Sequence, residues 1–195
     1  MQQEQPPVKT LAPAVRKPSG RRPAQAQDLP QGALRPTEGL DYGVLDSLTG
    51  YALRRAQNAL YLHFSRAMPW PDVSPQRFAA LVLVVRNPGL RQGVLAQAMG
   101  LHRSGGLRLV DWLDARGWVR RADDPLDRRS WTLHPTPEGE AALETLTAAV
   151  RRHDAALVQA MGEHGPRLHP LLEQLAAVAH GDTLLPPPTP SPRQP

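Results

Sequence analysis

The spacing of apolar residues changes at a single glycine, and that change limits the folds open to this chain. Before Gly117, Leu109, Val110 and Leu113 recur at helical intervals in a segment from about Arg103 to Arg116. After it, "WVRRA" and "RSWTLHP" are short, rich in β-formers and partly alternating, as in two paired strands. Glycine is the usual residue where a helix closes in a left-handed conformation. Thr136 then offers an N-cap, Pro137 a first helical position and Glu138 a charge that complements the helix dipole. A helix, a hairpin and a helix are therefore expected in succession.

Further helices flank this unit. Leu45, Leu48, Ala52, Ala56, Leu60 and Phe64 form one stripe over Tyr42 to Arg66, which ends at the prolines of "MPWPDVSP". Ser74 and Pro75 open a second helix with Phe78, Leu81, Val82 and Val85 inward, which stops at "NPG". A short third helix, Arg91 to Met99, places Leu95, Ala98 and Met99 inward, and Gly100 turns the chain into the fourth. Beyond the hairpin, Leu143, Leu146, Val150, Leu157 and Met161 mark a long fifth helix. A sixth spans roughly Pro166 to Ala179, with Leu168, Leu171, Leu172, Leu175 and Val178 inward. The expected fold class is mainly α: six helices with a β-hairpin between the fourth and fifth.

Of the 22 prolines, 7 fall in residues 1–40 and 6 in residues 181–195, and neither end has periodic apolar residues. Both ends are expected to be disordered tails, leaving one folded domain over about 41–180. Cysteine is absent, which excludes disulfides and thiolate metal sites. No apolar run is long enough to span a membrane, and residues 1–30 lack the apolar centre of a secretory signal, so a cytoplasmic location is expected.

Two short helices joined at a glycine turn and followed by a hairpin describe a helix-turn-helix with a wing. In such a unit the second helix lies in the DNA major groove. The charge agrees. Net charge is +5, with six basic residues against three acids in 1–40 and eight arginines against five aspartates in 91–131. A polyanionic partner is the natural complement. The stretch "DDPLDRR" suits a wing tip: Arg128 and Arg129 supply charge, Pro125 limits the backbone, and Asp127 is spaced to orient Arg129. The basic tail is suited to phosphate contact without base readout.

"LVDWLDARGWVRRADDPLDRRSWTLHPTPEGEAAL" resembles the MarR (multiple antibiotic resistance regulator) winged-helix family over Gln76 to about Leu157. The resemblance is carried by L-V-D-x-L-x-x-R-G-x-V-x-R, then P-x-D-x-R, then T-P-E-G, in that order and spacing. It implies a homodimeric transcription regulator, usually a repressor released by a small ligand, acting on a pseudo-palindromic operator. It also implies a DNA-binding part at about 74–136 and dimerisation helices at about 42–66 and 137–180. By resemblance Ser104 and Arg108 match recognition-helix contacts, and Asp127 and Arg129 match the wing pair. With Arg103 and Arg128 these form the candidate DNA-binding set.

One departure stands out. Gly105 and Gly106 occupy positions where the family usually has small polar or β-branched residues. Glycine inside a helix costs roughly 1 kcal/mol relative to alanine. Three explanations stay open: a later helix start near Leu107, a first turn ordered only by DNA, or close approach of the backbone to phosphate. A winged-helix module that compacts DNA or binds protein is the alternative function.

Enzyme chemistry is not expected. The seven histidines have no recognisable ligand spacing, although His153, His164 and His169 could conceivably converge, and no nucleophile elbow or phosphate-cradling glycine loop occurs. No catalytic residue, metal or cofactor is therefore assigned. Trp70, Trp112, Trp118 and Trp131 are candidates to line an aromatic or lipophilic effector site, with ordinary packing as the competing role for the two in the hairpin.

Overall fold

Ser74 shows how local chemistry sets the boundaries in this chain. Its hydroxyl accepts a hydrogen bond from the Arg77 amide at 3.2 Å, and Pro75 takes the first helical position of Pro75–Arg86. Thr136 does the same for Pro137–Ala160, accepting from the Gly139 amide at 3.0 Å while donating to the Gly117 carbonyl at 2.5 Å. That second bond ties the end of one helix to the start of another.

The computed structural model describes residues 37–124 and 131–180. A 3-10 turn, Gly43–Ser47, leads into α1, Thr49–Ala67; then follow α2, Pro75–Arg86, β1, Leu90–Arg91, α3, Gln92–Ala98, and α4, Arg103–Ala115. Next come β2, Val119–Asp123, β3, Trp131–Pro135, α5, Pro137–Ala160, a second 3-10 turn, Gly162–His164, and α6, Gly165–His180. The six expected helices are present with an antiparallel β2–β3 pair between α4 and α5. Gly117, at φ +71°, takes the left-handed conformation that closes α4.

Three local expectations need correction. The first stripe is not one helix: Leu48, with ψ 118°, is extended and separates the 3-10 turn from α1. The sheet has three strands in the order β1-β3-β2, because Leu90 and Arg91 pair with Leu133 and Thr132. A two-residue strand has too little period to announce itself. In α3, Leu95 and Ala96 are buried whereas Ala98 is exposed, so the inward stripe is shifted.

The core lies under the helix-turn-helix unit. Leu81, Val84, Leu95, Val110, Leu113, Leu133 and Leu146 are fully or almost fully covered, joining α2, α3, α4, β3 and α5. Val82 and Val85 are only half-buried; Ala80 and Val84 take the deeper places on α2. The outer helices differ. Leu171, Leu172, Leu175 and Val178 on α6 are exposed, as are Met161 after α5, Leu53 and Leu60 on α1, and Val44, Leu45 and Leu48 before it. Within one chain the α1 stripe is uncovered except at buried Phe64, and the α6 stripe, expected to face inward, is uncovered except at half-buried Leu168.

Candidate nucleic-acid interface

α4 begins at Arg103 although Gly105 and Gly106 fall in its first turn. The amides of both glycines bond the His102 carbonyl, at 2.9 and 3.1 Å, so that turn is formed by backbone contacts of the chain itself. A later start at Leu107 and ordering by DNA are thus not needed. Gly106 is buried, and a β-carbon there would stand 2.6 Å from that of Ala96. The residue is glycine because α3 crosses α4 too closely for a side chain, not because its backbone faces a phosphate. Gly105 has no such constraint.

The opposite face of α4 carries the candidate contacts. Arg103, Ser104 and Arg108 are all exposed, together with Leu107. No side chain caps the helix start and no acid lies in its first turn, so its free amides and dipole leave a positive end in the open. Arg103 and Arg108 have no acid partner among the described residues, and the same holds for exposed Arg120 on β2. Asp127, Arg128 and Arg129 lie outside the described residues.

Other arginines of this unit are spoken for. Arg116 pairs with Asp72 at 2.5 Å, and Arg121 with Asp111 and, at 3.8 Å, with Asp114. Arg91 Nε donates to the buried Asp124 carboxylate at 2.5 Å, joining β1 to the residue where the wing leaves β2. Among the described residues, the arginines of this unit therefore divide into a structural set with acid partners and an outward set without them. Neither the Arg91–Asp124 clamp nor the division was visible in sequence order, since Arg91 and Asp124 are 33 residues apart.

The aromatic residues are not gathered into one cavity. Trp118 meets Trp70 and Trp112 with centroids 5.2 and 5.4 Å away, and Arg77 and Arg116 lie over these rings. Such cation–π contacts bind the helix ends to the core edge. Trp131 lies apart, half exposed on β3. Among the described residues no three acids or histidines are grouped to hold a metal ion. His153 instead faces His63 across α5 and α1, with ring centroids 4.9 Å apart. Burial pushes the His153 imidazole below its ordinary 6.5, the His63 charge pushes the same way, and Asp154 opposes.

No helix among the described residues is long and apolar enough to cross a membrane. The MarR family model matches residues 72–130, which contain α2 to β2. A Thauera aromatica protein described as a candidate transcriptional regulatory protein for the hcr operon is 37% identical over 116 residues, covering 59% of this chain and 70% of that protein. The transcriptional repressor CouR bound to a 23-mer DNA duplex is 34% identical with a TM-score of 0.65, covering 72% of this chain and 99% of that one. The PcaV transcriptional regulator of Streptomyces coelicolor, solved with its natural ligand, is 26% identical with a TM-score of 0.63, covering 74% and 100%. CouR has also been solved with p-coumaroyl-CoA, and that structure is 31% identical with a TM-score of 0.64, covering 72% and 98%. Two short helices, a β-hairpin and long outer helices thus occur here in a chain that belongs to the MarR family of transcriptional regulators.

Proposed function

We propose that this chain is a cytoplasmic, homodimeric repressor that binds a pseudo-palindromic operator and releases it when a small aromatic or lipophilic ligand binds. The carrying observation is the outward set of arginines. Arg103 and Arg108 on α4 and Arg120 on β2 are exposed without acid partners among the described residues, on the unit that winged-helix proteins turn toward DNA. Ser104 and Arg108 reach base edges in this reading, Arg103 and Arg128 meet phosphate, and Arg129 enters the minor groove with Asp127 orienting it.

The division of labour follows the core. Residues of about 74–136 bind DNA, and the helices of about 42–66 and 137–180 form the dimer. The uncovered leucines of α1 and α6 support this, since apolar surface on that scale commonly marks an interface. The small-ligand step is supported by the CouR structure with p-coumaroyl-CoA and the PcaV structure with its natural ligand. The tails assigned to 1–40 and 181–195 lie, apart from 37–40, outside the described residues.

The test is a titration of DNA from upstream of the chain's own coding region against scrambled DNA at one fixed salt concentration. A repressor of this kind prefers the native sequence at least tenfold, while a DNA-compacting module binds both alike.

A further inference from the structure

Trp131 is the tryptophan that the core does not absorb. Trp70 and Trp112 both pack on Trp118, whereas Trp131, the first residue of β3, is 49% exposed. It shares an open concavity of about 700 Å³ with exposed Leu107, and Arg103, Ser104, His102 and Arg121 complete most of the wall. One side of this concavity is the outer face of α4, and the other is the start of the wing strand. Nothing in the fold requires an indole there, because β3 buries Thr132 and Leu133 instead.

The position has a consequence for a duplex. A recognition helix in the major groove and a wing in the adjacent minor groove stand on either side of one sugar–phosphate strand. That strand has to pass through the space between them. Its chemistry alternates between anionic phosphates and the apolar face of each deoxyribose. The concavity offers the complement: Arg103, with no acid partner among the described residues, and the Ser104 hydroxyl next to an indole and a leucine side chain.

We propose that this concavity seats one deoxyribose–phosphate strand of duplex DNA, with the Trp131 indole against a sugar, Leu107 beside it and Arg103 on the adjoining phosphate. The proposal rests on the DNA-binding reading above and adds to it a contact that is apolar and carries no sequence information. Trp131 helps to set how the helix and wing straddle the strand, while Ser104 and Arg108 are left to read bases.

The test uses the full chain with the upstream duplex and a scrambled duplex over a salt series, following anisotropy and tryptophan emission. Trp131→Ala is expected to weaken both complexes about fivefold, as for loss of a half-buried aromatic contact. The specific-to-nonspecific ratio and the salt slope should stay unchanged, Trp131→Phe should recover most of the loss, and the emission change on binding should vanish in Trp131→Phe. Arg103→Ala should lower the salt slope by about one. A Trp131→Ala loss confined to the upstream duplex would mean that the indole reads a base, and would overturn the proposal. Unchanged DNA affinity in Trp131→Ala and Trp131→Gln, both with wild-type melting, would overturn it while leaving the DNA-binding reading intact. Loss of release by an added small ligand without loss of DNA affinity would assign the concavity to an effector instead. A wild-type chain that binds neither duplex removes both readings.

Discussion

Gly106 of α4 and Ala96 of α3 approach so closely that a β-carbon on Gly106 would lie 2.6 Å from the Ala96 β-carbon and 3.3 Å from its Cα. A β-carbon on Gly105 would instead meet Leu101 at 3.5 Å, an ordinary contact. Adjacent glycines thus have opposite standing. Gly106→Ala should destabilise the chain by roughly 1–3 kcal/mol, because the rigid helix–helix contact has to open. Gly105→Ala should be neutral or stabilising by up to about 1 kcal/mol through helix propensity. Thermal melts of the two variants check the order, and equal effects would remove the packing explanation.

His153 gives the fold a pH dependence with a definite sign. Its imidazole is partly buried against His63 and Phe64, and its pKa is held below 6.5. Between the folded and unfolded pKa values the unfolded chain binds more protons, so stability falls as pH drops. The contribution is complete above about pH 6.5, the unfolded value, and declines below it. Melting temperature measured from pH 7.5 to 5 should fall less steeply in His153→Gln. An unchanged slope would place the dependence elsewhere.

Much of this was legible in the order of residues. Ser74–Pro75 and Thr136–Pro137 state helix starts in local chemistry, and Gly117 states a stop, so α2, α4 and α5 stand where their sequence puts them. The errors arise where a tertiary partner decides. Leu90 and Arg91 are a strand only because Leu133 and Thr132 are beside them. Ala96 displaces Ala98 as the buried alanine because α4 crosses over it at Gly106. The stripes on α1 and α6 are apolar as their spacing reads, and apart from buried Phe64 and half-buried Leu168 they lie uncovered on one chain, since periodicity cannot say whether the cover belongs to the same chain. Of the candidate site, Arg103, Ser104 and Arg108 do share an exposed face of α4. From the sequence, Trp131 suits only packing or a ligand cavity, since a strand residue gives no sign in sequence of facing the recognition helix.

The dimer reading gives a mass prediction. Light scattering at micromolar concentration and moderate salt should give twice the 21.4 kDa chain mass. Leu172→Glu together with Leu175→Glu on the exposed face of α6 should shift the chain toward monomer, since an interface cannot bury two unpaired carboxylates at acceptable cost. A wild-type monomer would contradict the assignment of these helices.

At the wing, Arg129→Ala should weaken specific binding by roughly 1–3 kcal/mol, and Asp127→Ala by less, because Arg129 then keeps its charge and loses only its positioning. Isothermal titration on the upstream duplex measures both. A larger loss in Asp127→Ala, with melting unchanged, would show that the carboxylate holds the wing backbone and does not aim an arginine.

Arg108→Ala tests most directly whether the arginines on α4, which have no acid partner among the described residues, serve sequence-specific DNA binding. Its affinity for the upstream duplex and for scrambled DNA, measured at one salt concentration, should fall unequally. Loss on the upstream duplex should be about 1–3 kcal/mol larger, the scale of a good base contact, so that the specificity ratio drops at least fivefold. An equal loss on both duplexes, or a wild-type chain with no preference between them, would contradict that role.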